Sequence, residues 1–343
     1  MAGSTYLENF LEPLAEYLTR PDVTDIYVNR PGELWLEAMS GGVERLEAPE
    51  LSAKALDRLA RQIAAFSHQG VNREHPILSA SLPDGARIQI VIPPATRGSV
   101  AMAIRKHLVM DRSIADYCSD GSFDGVREVA NDDGAALLHA VAAEQGAGAM
   151  LALAVRQRRN ILISGGTSTG KSTFLNALLR EIPDEERLIL IEDTPELQLR
   201  HENAIGLLAA RSQIGESLAT SDDLLNASLR MRPDRIILGE IRGREAFTFL
   251  RAVNTGHPGS MSTIHADSPT RAIEQLALLV LQTGTQLRRE DVISYVESVI
   301  DIFVQLERHN GQRLISEISF SARLMEQVSA GPVLAELPAR RSA

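Results

Sequence analysis

Leu7, Phe10, Leu11, Leu14, Tyr17 and Leu18 recur at helical spacing, so the chain opens on an amphipathic helix. Asp25–Glu37 (DIYVNRPGELWLE) then carries two short strand-like pieces on either side of Pro31-Gly32, a turn signal. Ser52 is placed to cap a second helix whose apolar face holds Leu56, Leu59, Ala60 and Ile63. Arg87–Ile92 (RIQIVI) alternates until Pro93-Pro94 stops it, and Val100–Arg105 (VAMAIR) predicts a further strand. Residues 1–107 thus read as a small α+β domain.

Residues 108–133 break the pattern. SDGSFDG and NDDG are rich in Asp, Gly and Ser and read as a flexible linker, with Asp133 placed to cap a helix starting near Gly134. From 134 to 343 strands and helices alternate. Arg159–Ser164, Arg187–Glu192, Arg235–Glu240 and Ser260–His265 are predicted strands, with helices between them, including Lys171–Arg180. Helices from about Pro269 and Arg289 and strands near Asp301–Leu306 and Arg313–Phe320 complete the chain. This alternation implies an α/β fold with a parallel-rich sheet covered by helices. No internal repeat or heptad pattern is visible.

Composition adds limits. The 343 residues are enough for roughly two domains. The formal net charge is −10, which argues against stable, sequence-specific nucleic-acid binding, a task that calls for a basic face. Cys118 is the single cysteine, so neither an intramolecular disulfide nor a cysteine zinc cluster can form. The start, MAGSTYLENF, lacks the basic and apolar segments of a signal peptide. The longest apolar runs, such as Leu276–Leu281, fall far below the ~20 residues of a membrane helix. Cytoplasmic residence fits these limits, and any membrane association is expected to be peripheral.

The chemistry centres on Gly165-Gly-Thr-Ser-Thr-Gly-Lys-Ser172, which fits G-x-x-x-x-G-K-[ST]. Glycines let the backbone curl so that several N–H groups face one phosphate, and the helix beginning at Lys171 adds its positive dipole end. Lys171 is expected on the β- and γ-phosphates and the Ser172 hydroxyl on Mg²⁺. Gly165, Gly166, Thr167, Ser168, Thr169, Gly170, Lys171, Ser172 and Thr173 form the expected ATP-binding set. The context is right: a strand (NILIS) precedes and a helix (TFLNALLREI) follows.

Such a loop needs a carboxylate on a neighbouring strand to hold metal or orient water. Ile236–Leu238 runs into Gly239-Glu240, and Leu188–Ile191 runs into Glu192-Asp193. In an open parallel sheet ligands sit beyond the carboxyl ends of the strands, so both acids point to the nucleotide. Spacing leaves open which acid serves water and which the metal; Ser172 and Glu240 are the expected metal ligands. His257 and His265 flank the Ser260–His265 strand; its end places His265 near the nucleotide, or else His265 is a satisfied structural histidine. The chain has no HExxH, and a zinc reading of the two is weak.

Together these segments resemble the secretion ATPase superfamily over nearly the whole chain. LRMRPDRIILGEIRGREA (229–246) looks like its Walker B segment with Glu240 as the acid, IEDTPEL (191–197) like its acidic box, and NTGHPGSMSTIHAD (254–267) like its histidine box. Within the superfamily, DVTDIYVNRPGELWLE, LPDGARIQIVIPP and AIRK are most similar to the VirB11 group of type IV secretion. The resemblance implies a RecA-like P-loop domain behind the smaller N-terminal one, a homohexameric ring at the inner face of the inner membrane, and work alongside inner-membrane secretion components and a coupling ATPase. It also implies that Arg87 and Arg105 of the N-terminal domain approach the phosphates. Arg230 and Arg232 either meet a neighbouring subunit or hold a helix end by a salt bridge. Lys171, Glu192, Glu240, His265, Arg87 and Arg105 are thus the expected catalytic residues. A tad-type pilus ATPase, a conjugative-plasmid transfer ATPase and, further off, a helicase-like motor are the alternative readings.

Overall fold

The computed structural model of the protein describes residues 2–106, 133–210, 217–309 and 312–321. The expected linker lies outside the described residues except for Asp133, where a helix begins.

The N-terminal part is a six-stranded antiparallel sheet with two helices on one face. Its strands are β1 (Val23–Val28), β2 (Gly32–Ala38), β3 (Val43–Ala48), β4 (Ile77–Ser81), β5 (Arg87–Val91) and β6 (Ala101–Arg105), in the order β3-β2-β1-β6-β5-β4. Helix α1 (Ala2–Thr19) and helix α2 (Ala53–Phe66) pack on it. Ser52 caps α2 by accepting from the Ala55 N–H at 3.3 Å. Strand alternation divides the side chains between two environments. Ile26, Val28, Met102 and Ile104 join Leu7, Leu14 and Leu56 under the helices, whereas Tyr27, Ala101 and Ala103 belong to a second core on the opposite face.

The larger part is a seven-stranded sheet built from β7 (Ile161–Gly165), β8 (Leu188–Glu192), β9 (Ala204–Leu208), β10 (Arg235–Ile241), β11 (Met261–Ile264), β12 (Ile302–His309) and β13 (Gln312–Phe320). The order is β13-β12-β7-β11-β10-β8-β9; all neighbours are parallel except the β12–β13 pair. Helices α3 (Asp133–Gln145), α4 (Ala147–Arg156) and α5 (Lys171–Leu179) supply Leu138, Met150 and Leu175 to one face. Helices α6 (Ser221–Ser228), α7 (Glu245–Asn254), α8 (Pro269–Leu281) and α9 (Arg289–Val299) supply Leu224, Phe249, Leu276 and Val296 to the other. The fold class is therefore α/β with a parallel-rich sheet, preceded by an α+β part, as the pattern predicts.

That last core also contains Tyr27, Trp35, Ala101 and Ala103, so the six-stranded sheet buries its second face against the larger half. A polar seam accompanies the apolar contact. Arg187, 2% exposed, lies with its guanidinium 3.9 Å from the centre of the Tyr27 ring. It donates to Asn29 Oδ1 at 2.8 Å and to the Met231 carbonyl at 3.0 Å. Asn29 in turn donates to Asn203 at 3.1 Å, and Arg232 reaches Glu37 at 3.0 Å. Burial pushes the Arg187 guanidinium down to about 10, partly offset by the surrounding tyrosine and carboxylates.

Removing a buried cation that satisfies acceptors on both sides should be costly, because they are left dry and unpaired. Arg187→Ala is expected to destabilise the fold by about 3 kcal/mol, measured by denaturant unfolding. Arg61→Ala, which removes an exposed pairing with Asp57 within α2, should leave the midpoint essentially where it was.

Candidate active site

In the order β7-β11-β10-β8, four strands end side by side at one edge of the sheet. The phosphate loop follows β7, His265 follows β11, Glu240 lies near the end of β10, and Glu192 ends β8. They line one cavity of about 360 Å³, within the range of small-molecule sites. The loop is shaped as its sequence requires: Gly170 has φ +94°, a left-handed conformation costly for other residues, and is the N-cap of α5. Lys171 and Ser172 therefore open a helix whose amino end faces the cavity.

Lys171 is buried and donates to the carbonyls of Gly165 at 3.0 Å and Gly166 at 3.2 Å. Its Nζ also lies 3.3 Å from His265 Nδ1 and 3.7 Å from Glu240 Oε1. Burial pushes the ammonium pKa down, and Glu240 pulls it part of the way back. The protons can be assigned by counting donors. A lysine ammonium can only donate, so Nδ1 of His265 accepts and Nε2 carries the hydrogen. Nε2 then donates to Glu240 Oε1 at 2.9 Å, giving a Lys171–His265–Glu240 chain. Arg242 bonds the other oxygen of Glu240 and also Asp193, tying the ends of β10 and β8 together.

Glu192 is placed differently from Glu240. It lines the cavity but is only 4% exposed, and both of its oxygens are committed. Oε2 accepts from the N–H groups of Glu196 at 2.9 Å and Leu197 at 2.7 Å, and Oε1 is bonded by Arg97. The neighbouring carboxylates with access to the cavity are Asp193, half-buried, and Glu196, exposed.

Arg87 and Arg105 are not brought to the loop within this chain. They are cross-strand partners on β5 and β6 and line a separate cavity with Ser67, Gln69 and Arg230. The reason is the geometry of the hairpin. Arg87 begins β5 and Arg105 ends β6, whereas the β5–β6 connection at the opposite end is what reaches the nucleotide cavity's wall, through Arg97 and Glu192. A five-residue strand advances about 3.3 Å per residue, so the two ends of the hairpin are more than ~13 Å apart. Arg105 is 63% exposed, with Asp25 at 4.0 Å. Arg232 serves its own chain by holding Glu37, and Arg230 bonds the Asn226 carbonyl at 3.2 Å. His257 is structural: its Nδ1 donates to the Pro233 carbonyl at 2.9 Å, and burial pushes its pKa down. Among the described residues no cluster of three or more His, Cys, Asp or Glu could hold a metal on its own.

Four site residues escape the sequence reading. Glu196 and Arg242 sit inside recognised segments, but nothing in the pattern marks them as facing the cavity. Arg97 and Arg313 carry no motif at all. Arg313, on β13, donates to the Ser168 carbonyl at 3.3 Å and lines the cavity on the side of β7 away from Glu240.

Comparison with known proteins shows the family of the chain. Residues 8–330 match the family described as "Type II/IV secretion system protein". The VirB11 type IV secretion system protein of Bartonella quintana is 36% identical over 337 residues, covering 94% of each chain. PtlH of Bordetella pertussis, also a type IV secretion system protein, is 40% identical over 323 residues, 88% of this chain and 90% of its own. The crystal structure of the VirB11 ATPase from the Brucella suis type IV secretion system, in complex with sulphate, superposes with a TM-score of 0.88 at 36% identity, covering 96% of this chain and 98% of that one.

Because Arg313 approaches the loop from the side opposite Glu240 and Arg242, its contact should not depend on the terminal phosphate. Arg313→Ala is expected to weaken ATP and ADP binding alike, by about tenfold, the worth of one charge-assisted hydrogen bond. Equilibrium titration with both nucleotides checks this; a loss confined to ATP would contradict the placement.

Proposed function

The chain belongs to the VirB11 group of the type II/IV secretion system protein family, and on that premise we propose that it is a Mg²⁺-dependent ATPase working as a six-membered ring in a type IV secretion system. The observation that carries the reading is the convergence of the phosphate loop, Glu240 and His265 on one cavity at adjacent strand ends.

The backbone N–H groups of the loop and the amino end of α5 cradle the phosphates, and Lys171 meets the terminal ones. At present Lys171 and Arg242 both neutralise Glu240. A triphosphate competes for those two cations, which leaves the Glu240 carboxylate able to orient water or a metal-bound ligand. Glu192, with both oxygens committed, is the poorer candidate for that role. Mg²⁺ suits the site: it favours hard oxygens, keeps several waters and shares phosphate oxygens, so Ser172 and Glu240 suffice without a protein-only cage. When bound, the metal would neutralise charge on the phosphates.

Arg87 and Arg105 remain the natural partners of the γ-phosphate, but of a neighbouring subunit's. Both are exposed and lie away from their own chain's loop. In a ring they act across the boundary, adding positive charge where the transition state needs it. Loss of phosphate then breaks the contact and lets the neighbouring subunits relax against each other. No helix among the described residues is long and apolar enough to cross a membrane. Association with the inner face of the inner membrane would be peripheral, through other secretion components.

Two measurements test this. Lys171→Ala should lower steady phosphate release by the purified protein on the order of 10²-fold or more; normal hydrolysis by that variant would overturn the ATPase reading. Mixing Lys171→Ala with an Arg87→Ala/Arg105→Ala double variant should recover activity that neither has alone, because mixed rings contain boundaries with an intact loop facing intact arginines. No recovery would refute action across subunits.

A further inference from the structure

Residues 95–97, between β5 and β6, pair with the outer edge of β9. Thr96 and Leu207 form an antiparallel bridge, Leu208 N–H donates to the Ala95 carbonyl at 2.9 Å, and Arg97 N–H donates to the Gly206 carbonyl at 2.9 Å. From this anchor the Arg97 side chain crosses Gly206 and reaches Glu192 and Leu197, which line the nucleotide cavity. Its guanidinium bonds Glu192 and donates to the Leu197 carbonyl at 2.9 Å.

The route is kept open by residues without side chains. A Cβ on Gly206 would lie 2.6 Å from Arg97 Cδ, and one on Gly239 would lie 3.0 Å from Glu192 Cγ. Glu192 passes the contact on. Its second oxygen holds the N–H groups of Glu196 and Leu197, which fixes the turn 193–197. Arg97 closes the same turn by binding the Leu197 carbonyl. The turn carries Asp193 and Glu196, two carboxylates on the cavity, and Asp193 connects through Arg242 to Glu240. A side chain from the N-terminal half thus secures the acidic turn of the nucleotide site.

We propose that Arg97 is a positioning residue that makes ATP turnover conditional on docking of the N-terminal half: through Glu192 it sets the acidic turn so that Asp193 and Glu196 face the bound nucleotide. This rests on the ATPase reading above. Undocking withdraws the guanidinium, frees the turn and disperses the carboxylates, while the phosphate loop, which Arg97 does not touch, goes on binding nucleotide. The effect belongs to turnover and not to affinity.

The experiment compares kcat and KM for ATP in the full chain for wild type, Arg97→Ala, Arg97→Gln, Arg97→Lys, Gly206→Ala and Glu192→Gln, with Tm as a check on folding. Arg97→Ala should lower kcat by tenfold or more per folded molecule, with KM and the ADP dissociation constant within about threefold of wild type. Arg97→Gln keeps the stem that packs on Gly206 and carries the same comparison should Arg97→Ala fold poorly. Arg97→Lys should recover part of the rate. Gly206→Ala, which leaves every charged group in place but displaces the Arg97 stem, should reproduce the loss. Combining Arg97→Ala with Glu192→Gln should cost no more than the worse single change. An unchanged kcat in folded Arg97→Ala or Arg97→Gln, or costs that multiply in the double variant, would overturn the proposal while leaving the ATPase reading intact. Hydrolysis that survives Lys171→Ala would instead remove the reading on which it rests.

Discussion

Parallel pairing forces the carboxyl ends of neighbouring strands onto a common edge, and every feature of the site depends on the register of that pairing. A slip of one residue would turn the side chains of a whole strand to the opposite face. In this protein the register is secured at the other end of the strands, by side chains. Arg235, fully buried, grips Glu186 with two bonds of 2.7 Å and donates to the Val155 carbonyl at 2.7 Å. Ser260 accepts from the Ile236 N–H at 3.0 Å. Asn160 accepts from the Gly259 N–H at 2.8 Å, and its own N–H donates to Asp301 at 2.8 Å. The starts of β7, β8, β10, β11 and β12 are thus tied by polar contacts, and the opposite ends carry the chemistry.

Much of this was legible in the sequence because local patterns are local physics. The phosphate loop needs glycines, a lysine and a hydroxyl in a short stretch, and Gly170 has the positive φ that the motif requires. Apolar runs ending in acids marked β8 and β10, and Ser52 marked the start of α2. Strand order was less accessible. That β11 lies between β7 and β10, bringing His265 between Lys171 and Glu240, follows from long-range pairing that no short window contains. β3 and β9 also lie outside the sequence-based expectation. β3 is largely exposed and lacks a clear buried face, and β9 is a short edge strand. The arginines were the hardest to place. Resemblance pointed to Arg87 and Arg105, yet which end of a hairpin lies beside the nucleotide cavity is a tertiary fact, and at that end stands Arg97.

The six-stranded sheet owes its place to having two unlike apolar faces. Ile and Met side chains fill the side under α1 and α2, whereas Ala101 and Ala103 leave the other side flat enough for the larger half to approach, around the Tyr27 and Trp35 rings. Small residues permit close approach but bury little area, and the Arg187–Tyr27 contact with the Asn29–Asn203 pair gives the seam direction. Such an interface is specific in orientation, which suits parts that work against each other.

The bridge between Thr96 and Leu207 has a consequence for solubility. β9 is the last strand of the seven-stranded sheet, and an uncovered edge presents unpaired N–H and C=O groups that invite another chain to add on. Residues 95–97 occupy part of that edge, so the N-terminal half acts as its lid against aggregation. A stroke that lifted the N-terminal half clear of β9 would expose a sticky ladder once per cycle in every subunit. The need to keep that edge covered therefore sets an upper bound on how far the two halves can part while the protein remains soluble.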